Sequence, residues 1–149
     1  MLGFVIAIWQ IRKVKRSADA ARVAALGLAN RVRSRELLAL LSGAHNHLEA
    51  ARNRAPAGGR DIVTLCVELS IRSIIEAREI SAGVAGPWSE LQGLIVRLRR
   101  ANEQLAEMSE PLPEDAGFLR FCHDLRQTSE ILQRSVARSR YAYDIENED

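Results

Sequence analysis

91-LQGLIVRLRRANEQLAEM-108 carries the cleanest apolar stripe in the chain. Its members Leu91, Leu94, Leu98, Ala101, Leu105 and Met108 are spaced alternately by three and four residues. That spacing lines one face of an α-helix and fits no strand, where apolar residues recur every second position. Pro111 and Pro113 stop the helix on one side, and Gly86-Pro87-Trp88 bounds it on the other. A helix with one apolar face needs other helices to cover it, so the unit of structure is a bundle.

The covering helices lie on either side of this stretch in the chain. On its N-terminal side a helix begins where Asp61 can cap it and stops at Gly83. The apolar positions read for it are Ile62, Leu65, Cys66, Leu69, Ile74 and Ile75. On the C-terminal side Asp115 starts a last helix, with Phe118, Cys122, Leu125, Leu132, Val136 and Ser139 along one face. Further back, Leu37, Leu40, Leu41, Ala44, Leu48 and Ala51 form a core-facing stripe, with Ser42-Gly43 as a bend. Pro56, Gly58 and Gly59 end that helix, leaving residues 54 to 60 as a loop. Short connections make sequential helices antiparallel, so residues 37–143 are expected to fold as an up-down antiparallel four-helix bundle. Residues 144–149 are an acidic tail expected to fray. Abundant Ala, Leu, Arg and Glu, with few aromatics, agree with an all-α fold.

Two segments precede the bundle. Residues 1–16, MLGFVIAIWQIRKVKR, run from an apolar stretch through Trp9 to Arg12, Lys13, Lys15 and Arg16. Hydrocarbon, aromatic, then cation is the order in which a helix leaves a bilayer toward the cytoplasm. Phe4, Val5, Ile8 and Trp9 are the expected lipid contacts, and the four cations the expected contacts with anionic headgroups. Eleven helical residues span only about 16 Å of a roughly 30 Å hydrocarbon core. The expectation is therefore a short transmembrane helix whose outer half lies beyond the sequence given, or a half-inserted interfacial anchor. A secretory signal would place its charge before the apolar run and a small-residue cleavage site after it. The alternative is a buried N-terminal helix of a soluble protein, since about 10–14 apolar residues is the usual length of a core helix.

Residues 17–36 are an Ala-rich stem. A narrow seam enters it from the anchor: Ala7, Ile11, Val14, Ala18, Ala21, Ala25, Leu28 and Val32. The spacings alternate four and three over eight positions, a heptad pattern built largely on small residues. Anchor and stem are thus expected to be one helix. The seam is too narrow for one face of a bundle core, so a second copy is the expected cover and the chain is expected to be a homo-oligomer, the alternative being that the last helix folds back over the stem through Val136 and Tyr143.

Charge divides the chain. Met1–Arg60 holds 11 basic and 3 acidic residues, and Asp61–Asp149 holds 10 basic and 16 acidic, so +8 is followed by −6. The basic half adjoins the apolar run, which suits an anionic membrane surface. A nucleic-acid binder could carry the same charge, but a membrane accounts for the apolar run as well, and nucleic acid is the less favoured partner. Of the 21 basic residues 19 are Arg, which reads first as the codon usage of a GC-rich genome.

No catalytic, cofactor-binding or metal-ligating residues, and no cofactor, are expected from the sequence. His45 and Glu49 share a helical face and could join His123 around a metal, but such a set is short of ligands. Arg35 and Arg120 do not stand four to six residues before a His, as helical-bundle ribonucleases require. Gly58-Gly59 is followed by Arg60-Asp61, which is no phosphate-binding loop. Arg97, Arg99 and Arg100 read as a solvated helix face. Cys66 and Cys122 read as small buried hydrophobes.

The opening FVIAIWQIRKVKRSADAA resembles that of small single-pass, membrane-anchored helical proteins of GC-rich bacteria. In these an apolar span is followed by Trp-Gln-hydrophobic-Arg, more basic residues and an Ala-rich helix. The likeness covers about thirty residues, and this chain departs from it in its shorter apolar run. It implies the inner membrane, single-pass or peripheral, with the bulk of the chain cytoplasmic, and carries over no functional residue. Three functions are therefore expected, in order. The first is a non-enzymatic membrane-tethered module acting by self-association or by binding a protein partner. The second is a membrane effector or sensor in bacterial stress or antiviral signalling. The third is a small helical-bundle hydrolase or nucleic-acid binder.

Overall fold

The computed structural model describes residues 2–56, 59–82, 88–109 and 116–148, the side chains of 2–9, 139 and 142–148 excepted. Four α-helices account for nearly all of them: α1 (Leu2–Arg54), α2 (Arg60–Ser81), α3 (Glu90–Glu107) and α4 (Ala116–Glu148). The fold is an all-α helical bundle, and among the described residues there is no strand. The chain divides into two compact units, one ending at Val32 and the other running from Arg33 to Asp149.

The first unit is a single stretch of α1. Its helix is unbroken from Leu2, as the continuous seam implied. Among the described residues no helix is long and apolar enough to cross a membrane. The expected transmembrane helix is thus without support among the described residues, where cations follow directly on Ile11.

In the second unit the core is built from all four helices. Leu37, Leu41, Ala44, Leu48 and Ala51 of α1 are fully buried, as their spacing predicted, while Leu40 is only half-buried. The helix passes through Ser42-Gly43 without interruption. From α3 come Leu91, Leu94, Leu98, Ala101 and Leu105, joined by Ile95. From α4 come Phe118, Leu125 and Leu132, and also Phe121, which stacks on Phe118 with ring centroids 6.4 Å apart.

α2 turns a different face inward from the one expected. Val63, Val67, Ser70, Ile74, Ala77 and Ser81 are buried, while Ile62 and Leu65 are 43 % and 55 % exposed. Apolar residues occur nearly all round this helix, so spacing alone did not fix its phase. The buried face is the one that small residues allow to approach its neighbours closely. Ser70 shows how: its Oγ donates to the Ala44 carbonyl of α1 at 3.0 Å. Asp61 is not the cap of α2 either. Gly59 occupies that position and Asp61 lies in the first turn, where its charge still favours the helix N-terminus.

The helix ends show the relative direction of α2 and α3. Arg60, at the start of α2, donates to the Met108 carbonyl at the end of α3 at 2.9 Å. Arg78, near the end of α2, donates to Gln92 near the start of α3. The two helices are therefore antiparallel. α3 packs in turn on α4, where Arg97 donates to Gln127 at 3.2 Å. α4 continues to Glu148, through the acidic end expected to fray.

Candidate functional site

Two sets of residues singled out in the sequence lie on the first unit. Within the membrane-contact set, the side chains of Phe4, Val5, Ile8 and Trp9 lie outside the described residues. Arg12, Lys13, Lys15 and Arg16 are exposed. Five consecutive helical residues, little more than one turn, cannot bring all four onto one line, but i, i+3 and i, i+4 spacing keeps Arg12, Lys15 and Arg16 on one side.

Of the seam, the side chain of Ala7 lies outside the described residues, and each of the other seven is exposed. Ile11 and Val14 are 67 % and 66 % exposed, and Leu28 and Val32 are 64 % and 56 %. Large apolar side chains repeated at heptad spacing are ordinarily covered. Here they form an open apolar stripe of about 32 Å between Ile11 and Val32, at 1.5 Å per residue.

The histidines are placed differently from what a metal site needs. His45 and Glu49 of α1 converge on Ser129 of α4, which is buried. Ser129 Oγ donates to the Glu49 carboxylate, and His45 Nδ1 lies 3.2 Å from the same Oγ. With its proton given to Glu49, the hydroxyl accepts from Nδ1–H. Glu49 is held further by Arg52 at 3.0 Å. A serine so arranged has no free proton for a neighbouring base and no open approach for a substrate. The group ties α1 to α4. His123 is exposed and lines a separate cleft with Cys122, Arg126 and Glu130. Cys122 is half-buried, and that burial raises its thiol pKa above the ordinary value.

The groove between α3 and α4 is a feature the sequence did not disclose. Arg97, Arg134 and Arg138 line one part of it with Leu94 and Ile131. Arg97, Arg100 and Arg120 line the next part. Arg97 and Arg100 belong, with Arg99, to the cluster that the sequence reads as a solvated helix face, and all three are exposed. Their neighbours on α4 lie 20 and more residues away in sequence, so only the packing of the two helices brings the five together.

No known protein family, curated protein or solved structure matches this chain.

Proposed function

We propose that this chain is a membrane-associated helical module that acts by self-association through its stem. The observation that carries this reading is the open seam: every described member from Ile11 to Val32 is exposed at heptad spacing. The second unit, read as an up-down four-helix bundle, buries apolar faces of its own helices against one another. The exposed cations at Arg12, Lys13, Lys15 and Arg16 follow directly on the apolar segment, which favours peripheral, interfacial attachment at the inner leaflet, with the bundle on the cytoplasmic side. Attachment in a plane raises the effective concentration of stems and so favours pairing of a weak, Ala-rich seam. No catalytic chemistry is assigned to it.

The test is crosslinking of single cysteines at Ala18 and Ala25, with Cys66 and Cys122 replaced by serine, on vesicles containing anionic lipid. Covalent dimers at both positions support the reading. A protein that stays monomeric on the vesicles, with neither position crosslinked, overturns it.

A further inference from the structure

The arginines between α3 and α4 are segregated, not scattered. From Asp61 onward the chain holds 10 basic and 16 acidic residues, yet the groove is lined by five of the former and only two of the latter, Glu90 and Asp124. A stretch with a net charge of −6 thus presents a strip with a net charge of +3. Few of these arginines are neutralised by the fold. Arg97 bonds the neutral Gln127 and Arg134 the Glu130 carbonyl, and no ion pair involves Arg100, Arg120 or Arg138 among the described residues. The strip has an apolar floor at one end, where Leu94 and Ile131 lie beside Gly93. Apart from its chain neighbours and its own helix backbone, nothing lies within 4 Å of where a Cβ at Gly93 would stand, so this end is open.

From this we infer a binding site for a short acidic peptide segment of a partner protein, with carboxylates on the arginines and an apolar side chain on Leu94 and Ile131. Guanidinium groups pair with carboxylates through two parallel hydrogen bonds, which a row of five can repeat along a chain. The size fits. From Arg120 to Arg138 α4 rises about 27 Å, the length of roughly eight extended residues. The same limit argues against nucleic acid. A long polyanion would overrun a strip of this length, whereas a short segment ends where the arginines end.

This proposal is independent of the stem, and so is its test. A fluorescein-labelled peptide EEELEEE is titrated with the full chain, and binding is followed by anisotropy. The expected result is saturable binding that weakens as salt rises and drops roughly tenfold in R97E/R134E and in R100E/R120E. R72E, on the exposed face of α2, should bind as the parent does. Circular dichroism of each variant establishes that it is folded. Equal binding by the parent and both groove variants overturns the proposal, as does the absence of binding by the parent. Displacement of the peptide by a much tighter-binding single-stranded oligonucleotide overturns the assignment to an acidic peptide.

Discussion

Ser129 holds two side chains of α1 with a single oxygen, and little else in the bundle is as exacting. The hydroxyl is buried, whereas His45 and Glu49 are only half-buried and can turn to water when it is removed. Ser129→Ala should therefore cost about 1 kcal/mol, toward the lower end of what an abandoned polar partner costs, as read by urea denaturation. Leu98→Ala should cost more, about 2–5 kcal/mol, because α3 buries that side chain fully and its removal leaves a cavity. A third residue is set apart by chemistry. Burial raises the Cys122 thiol pKa, so less of it is thiolate at neutral pH than of an ordinary cysteine. In a Cys66→Ser background, iodoacetamide should label Cys122 more slowly than free cysteine near pH 7. The gap should narrow as pH rises through the raised value. A rate equal to free cysteine at pH 7 would contradict the shift.

At the scale of the element, α2 and the stem pose opposite problems. α2 has apolar residues on almost every side, and its inward face, Val63, Val67, Ile74 and Ala77, also includes Ser70 and Ser81, which carry no apolar signal of their own. The orientation of this helix rests on close contact rather than on bulk. Val67→Ala should accordingly cost about 1–2 kcal/mol, while Leu65→Ala on the exposed side should change stability by less than about half a kcal/mol. Comparable losses at the two positions would mean that α2 is turned otherwise. α3, by contrast, was legible because its polar and apolar residues separate cleanly. Phe121 and the buried hydroxyls of α4 were not, since a serine facing a core is recognised only once its partner helix is in place. The arginine groove was hidden for the same reason: a site shared by two helices has no spacing in the sequence. The stem is the simpler case, one narrow stripe with nothing on it but small and aliphatic residues. If two such stripes meet, the alanines set the distance between the helices. Ala21→Leu should then weaken or alter the oligomer, and Ala21→Ser should be mild, with analytical ultracentrifugation on detergent-solubilised protein as the measure. Equal behaviour of the two variants would remove the seam from the interface.

For the whole molecule the question is how far its two units depend on one another and on a surface. The core is supplied from Leu37 onward by α1, α2, α3 and α4, and no described residue before Arg33 is buried. A chain beginning at Ala18 should therefore retain its helical circular dichroism and a cooperative urea transition; loss of that transition would mean that the earlier residues take part in the core. Attachment to a surface should behave in the opposite way, because it depends on those earlier residues alone. On the membrane reading proposed above, the cations next to the apolar segment carry a share of the affinity. Each lysine or arginine close to an anionic leaflet contributes about 1 kcal/mol, so replacing Arg12, Lys13, Lys15 and Arg16 by glutamine removes about 4 kcal/mol, close to a thousandfold in binding. The expected outcome is parent protein that co-sediments with vesicles containing phosphatidylserine, less so at high salt, and a glutamine variant that stays in the supernatant while remaining folded. Vesicles of neutral lipid should retain little of either protein. Parent protein that ignores anionic vesicles, or binds neutral and anionic ones alike, would remove the electrostatic half of this attachment and leave the stem to pair without a surface.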